Sequence, residues 1–203
     1  MKKISLIAFL YFGALTMLIL SIHYYQGPDS GILKSKAAAS SSLYLAIFYT
    51  HITGGLLGIT VGPWQFIKRF RRRFPMVHRT MGMVYLLAVF SSGLAGLYIA
   101  PFAMDGRAAQ LGFFLLALAW LATTAQSVRH LLAGRYKVHG QWMVRSYALT
   151  FAAIPQRLLL LIPLFSSIDF IPIYRLSAWL PWILQLIIAE AIIRSSTSIT
   201  DLD

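Results

Sequence analysis

Cysteine is absent from all 203 positions, and only six residues are acidic. Without cysteine there are no disulfides, iron–sulfur clusters or thiolate metal sites, and histidine is the only strong neutral metal ligand left. The scattered acids form no acidic metal cage, and no phosphate-binding loop or catalytic triad occurs. Charge of either sign is scarce as well: 12% of residues are charged, against about 25% in a typical soluble domain. No stretch is polar enough and long enough to be a separate soluble domain.

What fills the chain is apolar. Hydrophobic residues make up 58% of it and the mean hydropathy is +0.70, values that belong to a polytopic membrane protein. Six runs approach or exceed the roughly 20 residues that a spanning helix needs: Ile4 to Ile22, Leu43 to Ile67, Thr80 to Ala100, Leu111 to Leu132, Trp142 to Phe165 and Leu176 to Ile193. The expected fold is all-α, a six-transmembrane-helix bundle. Its expected organisation is an N-terminal anchor helix and external loop (1–42), a four-helix membrane core (43–165), and a C-terminal helix with a short polar tail (166–203). Met1-Lys-Lys before an apolar run resembles a secretory signal, but the run is long and has no small-x-small cleavage site beside it, so it is read as an uncleaved anchor.

The formal net charge of +12 comes from basic residues at helix ends, so the expected partners are membrane lipids and not nucleic acid. With the N-terminus inside, twelve Lys and Arg fall on the cytoplasmic side: Lys2, Lys3, Lys68, Arg69, Arg71, Arg72, Arg73, Arg79, Arg129, Arg135, Lys137 and Arg194. Only four, Lys34, Lys36, Arg107 and Arg175, fall outside. Both termini are therefore expected in the cytoplasm and the protein in a bacterial inner membrane.

Candidate chemistry lies in the polar residues inside the runs. On an ideal helix His139, Ser146, Thr150 and Arg157 share one stripe. A cation facing lipid costs about 2.5 kcal/mol or more, so the stripe should look into a bundle or cavity. Ser146, Thr150, Thr123 and Ser127 are expected to hydrogen-bond their own helix backbones. Pro155 leaves the carbonyl of Phe151 without its helical donor. Gly54, Gly58 and Gly62 recur every fourth residue, a spacing that lets another helix, or a flat ligand, come close; helix packing is the better reading. Arg145 and Glu190, each about one turn from the inner surface, are expected to pair.

The four central helices carry one histidine each: His51, His78, His130 and His139. That pattern resembles the di-haem b-type cytochromes of the cytochrome b561 superfamily, in which paired histidines hold haem iron. By depth, His78, His130 and His139 lie near the inner boundary, whereas His51 is roughly 13 Å from the outer end of its helix. Two bis-histidine haems at two levels therefore do not follow, and the arrangement the geometry leaves open is one inner haem b between His78 and His139, with His130 in reserve. Boundary histidines also serve simply to hydrogen-bond headgroups, loop carbonyls or water. His51 and Arg157, at similar depth, form a second candidate site for an anionic or quinone-like headgroup, and Arg145 is a further candidate ligand-binding residue.

The succession His51-x2-Gly54, Gly62-x2-Gln65-Phe66, His78-Arg79-x2-Gly82-x2-Tyr85, Trp120 and His139-x2-Trp142-Met143-x-Arg145-Ser146 resembles the predicted bacterial membrane proteins grouped as domain of unknown function 2306. The resemblance covers Tyr44 to Pro163, leaves helices 1 and 6 outside, and implies no reaction. Three classes of function stay open: a haem- or quinone-binding redox protein, a small-solute or proton-coupled transporter, and a non-catalytic assembly or lipid-interacting protein.

Overall fold

The computed structural model describes residues 2–27, 29, 33 and 41–200, with side chains described from Ala8 to Ser195. Most of the external loop anticipated at His23 to Ser42, and the tail beyond Thr200, lie outside the described residues. Every regular element among the described residues is helical: α1 (Lys2–Ser21), α2 (Ser42–Gln65), α3 (Lys68–Arg73), α4 (Pro75–Ile99), α5 (Arg107–Leu132), α6 (Tyr136–Phe151), α7 (Ala153–Leu159), α8 (Ile162–Phe165), α9 (Phe170–Ser177) and α10 (Leu180–Thr200), with short 3₁₀ turns at Ile22–Gln26 and Ala100–Phe102.

Six stretches among the described residues are long and apolar enough to cross a membrane: Ala8–Gln26, Ser42–Gln65, Pro75–Phe102, Arg107–Leu132, Tyr136–Phe165 and Phe170–Ser195. The protein is thus an all-α, multi-pass membrane protein. Its outward-facing side chains are large and apolar; Phe12, Leu87 and Leu94 are each more than 60% exposed, as lipid-facing positions should be.

Three departures from the expected helices have local causes. The fifth span is broken: α6 stops at Phe151 and α7 resumes at Ala153, because Pro155 has no N–H to give Phe151 and its ring crowds that carbonyl. His139, Ser146 and Thr150 therefore share one helix, while Arg157 stands on the next. The sixth span starts earlier than Leu176, with α9 turning into α10 just before Pro181, a residue suited to a helix's first turn. The basic run after Pro63, which sequence places simply at the cytoplasmic side of the second span, forms a short helix of its own, α3.

The chain divides into two compact units, Met1–Met104 and Asp105–Asp203. In the first, α2 and α4 pack antiparallel: His51 meets Ser92 near one end and Gln65 faces Gly82 near the other. The helices close tightly at Gly54, where a Cβ would stand 2.7 Å from the Ala88 carbonyl oxygen and 2.8 Å from Ser92 Cβ. Helix packing is thus what Gly54 serves. On the α1 side, the Tyr25 and Thr53 hydroxyls bond at 2.8 Å, and Tyr24, Leu33, Tyr44, Phe48 and Ile52 form a buried apolar cluster.

Gly54→Ala is expected to force α2 from α4 and destabilise the protein by about 1–3 kcal/mol, the usual range for overpacking. Gly55→Ala, whose Cβ would find its nearest neighbour at 3.8 Å, is expected to be neutral. Thermal melting in detergent checks the pair, and equal melting temperatures would remove the close approach as a source of stability.

In the second unit, α5 and α6 are joined by polar rungs. Trp120 Nε1 donates to Thr150 Oγ1 at 3.0 Å, the Thr124 and Ser146 hydroxyls bond at 2.7 Å, and Ser127 meets His139 at 2.9 Å. Thr150, Thr124 and Thr123 also donate to carbonyls one turn back on their own helices. Thr123 bonds only its own helix, as expected; Thr124 and Thr150 also cross between helices, and the Ser127 hydroxyl bonds His139 in place of its own backbone, each cross-helix bond adding about 0.6 kcal/mol in a membrane. At the other end, Gly112 lets α5 sit against Ala178, and Trp179 Nε1 donates to the Ala108 carbonyl at 3.0 Å. Arg175 grips Asp105 with two N–H groups at 2.6 and 3.0 Å. That hydrogen bond and the Arg175 charge hold the Asp105 carboxyl below its ordinary range.

Candidate functional site

Each unit contains one histidine locked by a serine on the facing helix. In the first, His51 Nδ1 lies 2.9 Å from the Ser92 carbonyl oxygen, and Ser92 Oγ donates to the His51 carbonyl at 2.7 Å. Ser92 is fully buried, so the reciprocal pair is shielded. In the second, His139 Nδ1 lies 3.0 Å from the carbonyl oxygen of Ser127 and 2.9 Å from its hydroxyl, and Ser127 too is fully buried. A carbonyl only accepts, so in both rings Nδ1 carries the proton and donates. The neutral imidazole then keeps its lone pair on Nε2. A carbonyl behind Nδ1 is the usual partner of a histidine whose Nε2 ligates iron or zinc, because it fixes both tautomer and ring direction.

His139 Nε2 makes no hydrogen bond among the described residues, and the side chain is half-buried at the start of α6. His130 sits one turn beyond Ser127 on α5, roughly 4.5 Å further along the axis, so the α5–α6 hairpin brings His130 and His139 to the same end. The two differ in support, since His130 Nδ1 is enclosed but has no hydrogen-bond partner among the described residues.

In the first unit, His51 and His78 are not brought together. His78 is on the first turn of α4, and Ser92, which His51 contacts, lies fourteen residues later, about 21 Å along the helix. His51 and His78 thus stand at different levels of the unit.

Arg145 is committed elsewhere. Its Nε and one terminal nitrogen bond the two Glu190 oxygens at 2.5 and 3.0 Å, and its guanidinium carbon lies 4.5 Å from the centre of the Trp142 ring. This is the ion pair expected from the sequence, reinforced by a cation–π contact. Arg157 stands half-buried on α7.

Among the described residues, no group of three or more His, Asp or Glu side chains gathers as a metal cage. A haem needs no such cage, since its iron is already held by four ring nitrogens and takes only axial ligands. Ser92 is the functional residue least visible in the sequence: it stands in an apolar run, and nothing in its spacing shows that its carbonyl faces His51. Ser127 lies on the polar side of α5, where the sequence already gathers Thr123, Thr124 and His130.

No curated protein and no solved structure matches the chain. Residues 48–193 match the family described as Predicted membrane protein (DUF2306). The match runs into α10, ending at Ile193, so most of the last helix is part of the family's common region and not outside it. Spanning well over half of the sequence, it shows that the chain belongs to the DUF2306 family of predicted membrane proteins.

Proposed function

We propose that the protein is a redox-active protein of the bacterial inner membrane that binds a haem b or a quinone, with His139 as the residue that meets the haem and His51 as a separate candidate for a headgroup ligand. One observation carries this reading: in each unit a histidine gives its Nδ1–H to a serine carbonyl on the neighbouring helix, and in His139 this leaves Nε2 presented as a ligand or hydrogen-bond acceptor. Maintaining such a tautomer in an apolar protein at two separate places is more than headgroup solvation requires. His139 is the favoured haem ligand, and His130, at the same end of the α5–α6 hairpin, is the candidate for the second axial position. A bound haem would supply one-electron chemistry, while the chain holds and orients it and keeps bulk water away. Arg157 is proposed to favour the anionic or reduced form of a headgroup ligand through its two-point donor geometry.

Proton-coupled transport is less well supported. Glu190 is the one acidic residue inside any candidate span, and it is tied to Arg145. The test is chemical: protein purified in mild detergent is extracted, with haem assayed as its pyridine complex and quinone in the organic phase. Near-stoichiometric haem or quinone is expected. Neither, in protein that melts cooperatively, would contradict the proposal.

The proposed orientation has both termini in the cytoplasm, supported by the asymmetry of Lys and Arg. Reporter fusions after Arg73 should report the inside, and fusions after Asp105 the outside. The opposite pattern would invert the assignment.

A further inference from the structure

We propose that the basic end of the first unit is a binding site for the phosphate of an anionic membrane lipid, independently of any redox role. Gln65, the last residue of α2, is 7% exposed. Its Oε1 lies 3.5 Å from the place a Cβ on Gly82 would occupy, so the side chain turns toward α4. Its Nε2 is enclosed and has no hydrogen-bond partner among the described residues. Burying such a group unpaired is unfavourable, so a buried amide without a protein partner points to a partner from outside.

A second enclosed donor stands on α1, packed against the same end of α2. The Tyr11 ring packs edge-on against Trp64, the residue before Gln65, with centroids 5.7 Å apart. The Tyr11 hydroxyl is likewise shielded and unbonded among the described residues.

Charge identifies what the two donors await. Lys68, Arg69, Arg71, Arg72 and Arg73 on α3 and Arg79 on α4 are all exposed. The only acidic residue in the unit is Asp29. It follows closely on Tyr25, which bonds Thr53, and Thr53 is twelve residues, about 18 Å, from Gln65 along α2. Six cations on the elements that follow Gln65, with no carboxylate near them within the unit, together with the enclosed donors, call for a ligand that is anionic and accepts several hydrogen bonds. Phosphate does both; a neutral carbonyl does only the second.

A lipid is the source that fits the setting. Trp64, Phe70 and Phe74 form a chain of ring contacts at 5.3 and 5.7 Å along α3, an aromatic group at the end of two candidate spans. Such rings sit at headgroup depth, so α3 holds its cations where lipid phosphates are.

The test measures melting temperature in neutral detergent against added phosphatidylglycerol, phosphatidylcholine or inorganic phosphate. Phosphatidylglycerol is expected to raise it saturably, and the other two at equal concentration are not. Inorganic phosphate acting as well as the lipid would overturn the lipid assignment, and equal effects of both lipids would overturn the site. Gln65→Met should leave the lipid-free protein as stable as before, or more so, because it removes an unpaired buried amide, yet weaken the phosphatidylglycerol response about tenfold. Tyr11→Phe should act in the same direction, and it decides the matter if Gln65→Met fails to fold. A variant that loses stability without lipid, or keeps the full lipid response, would show that these groups serve the fold and not a ligand.

Discussion

Glu190→Leu is expected to destabilise the protein by about 2–3 kcal/mol, because it strands the Arg145 cation inside a candidate span. Arg145 is only 18% exposed and Glu190 41%, so the arginine loses more than its partner would. Loss of the carboxylate removes both hydrogen bonds, at 2.5 and 3.0 Å, and leaves only the Trp142 ring against the guanidinium. That contact, and some freedom to reach toward water, keeps the effect below that of an arginine at the bilayer centre. Arg145→Leu should be milder, since the half-exposed carboxylate can reach water or take up a proton. The double Leu variant should recover most of the stability, as apolar replacements of enclosed ion pairs commonly do. A double-mutant cycle by thermal melting isolates the coupling. Additive single effects would mean that the pair contributes nothing.

His139→Ala is expected to reduce bound haem, or the redox ligand in its place, to background while protein still accumulates in the membrane. The reason is the division of labour within the ring: Nδ1 is held by Ser127, and the ligating lone pair on Nε2 vanishes with the imidazole. Ser127→Ala is the informative companion. It deletes the hydroxyl at 2.9 Å but spares the carbonyl at 3.0 Å, so the tautomer survives with one support fewer. Affinity should fall roughly tenfold, toward the lower end for loss of such a supporting contact. His130→Ala should retain more ligand than His139→Ala, because the His130 ring has no comparable anchor on Nδ1. If His130→Ala removes the ligand and His139→Ala does not, the assignment of His139 is wrong.

The helices were legible in the sequence because hydropathy registers with span length, and Pro, Gly and basic residues punctuate the ends. The Arg145–Glu190 pair was legible for a related reason: two opposite charges at one depth of an apolar bundle have few other ways to be stabilised. The serine contacts behind the histidines were not. They depend on the axial rotation of α2 against α4 and of α5 against α6, which is set by side-chain fit, such as the contact of Gly54 with Ala88 and Ser92. Helical periodicity in one segment says nothing about which carbonyl of the next will face it. The break before Pro155 carried Arg157 off the helix that bears His139, Ser146 and Thr150, since a stripe drawn on an ideal helix cannot anticipate where the helix stops. Gln65 shows the same limit, because its burial without a partner becomes visible only once Gly82 lies opposite.

The most direct measurement is the reduced-minus-oxidised absorption spectrum of the purified protein, taken before any ligand is added and compared with that of His139→Ala. The predicted result is a b-type haem band in the native protein that His139→Ala removes or, if the ligand is a quinone, a reversible ultraviolet change that the variant reduces. A spectrum with neither feature, from protein that is folded and holds no extractable quinone, would contradict the redox assignment.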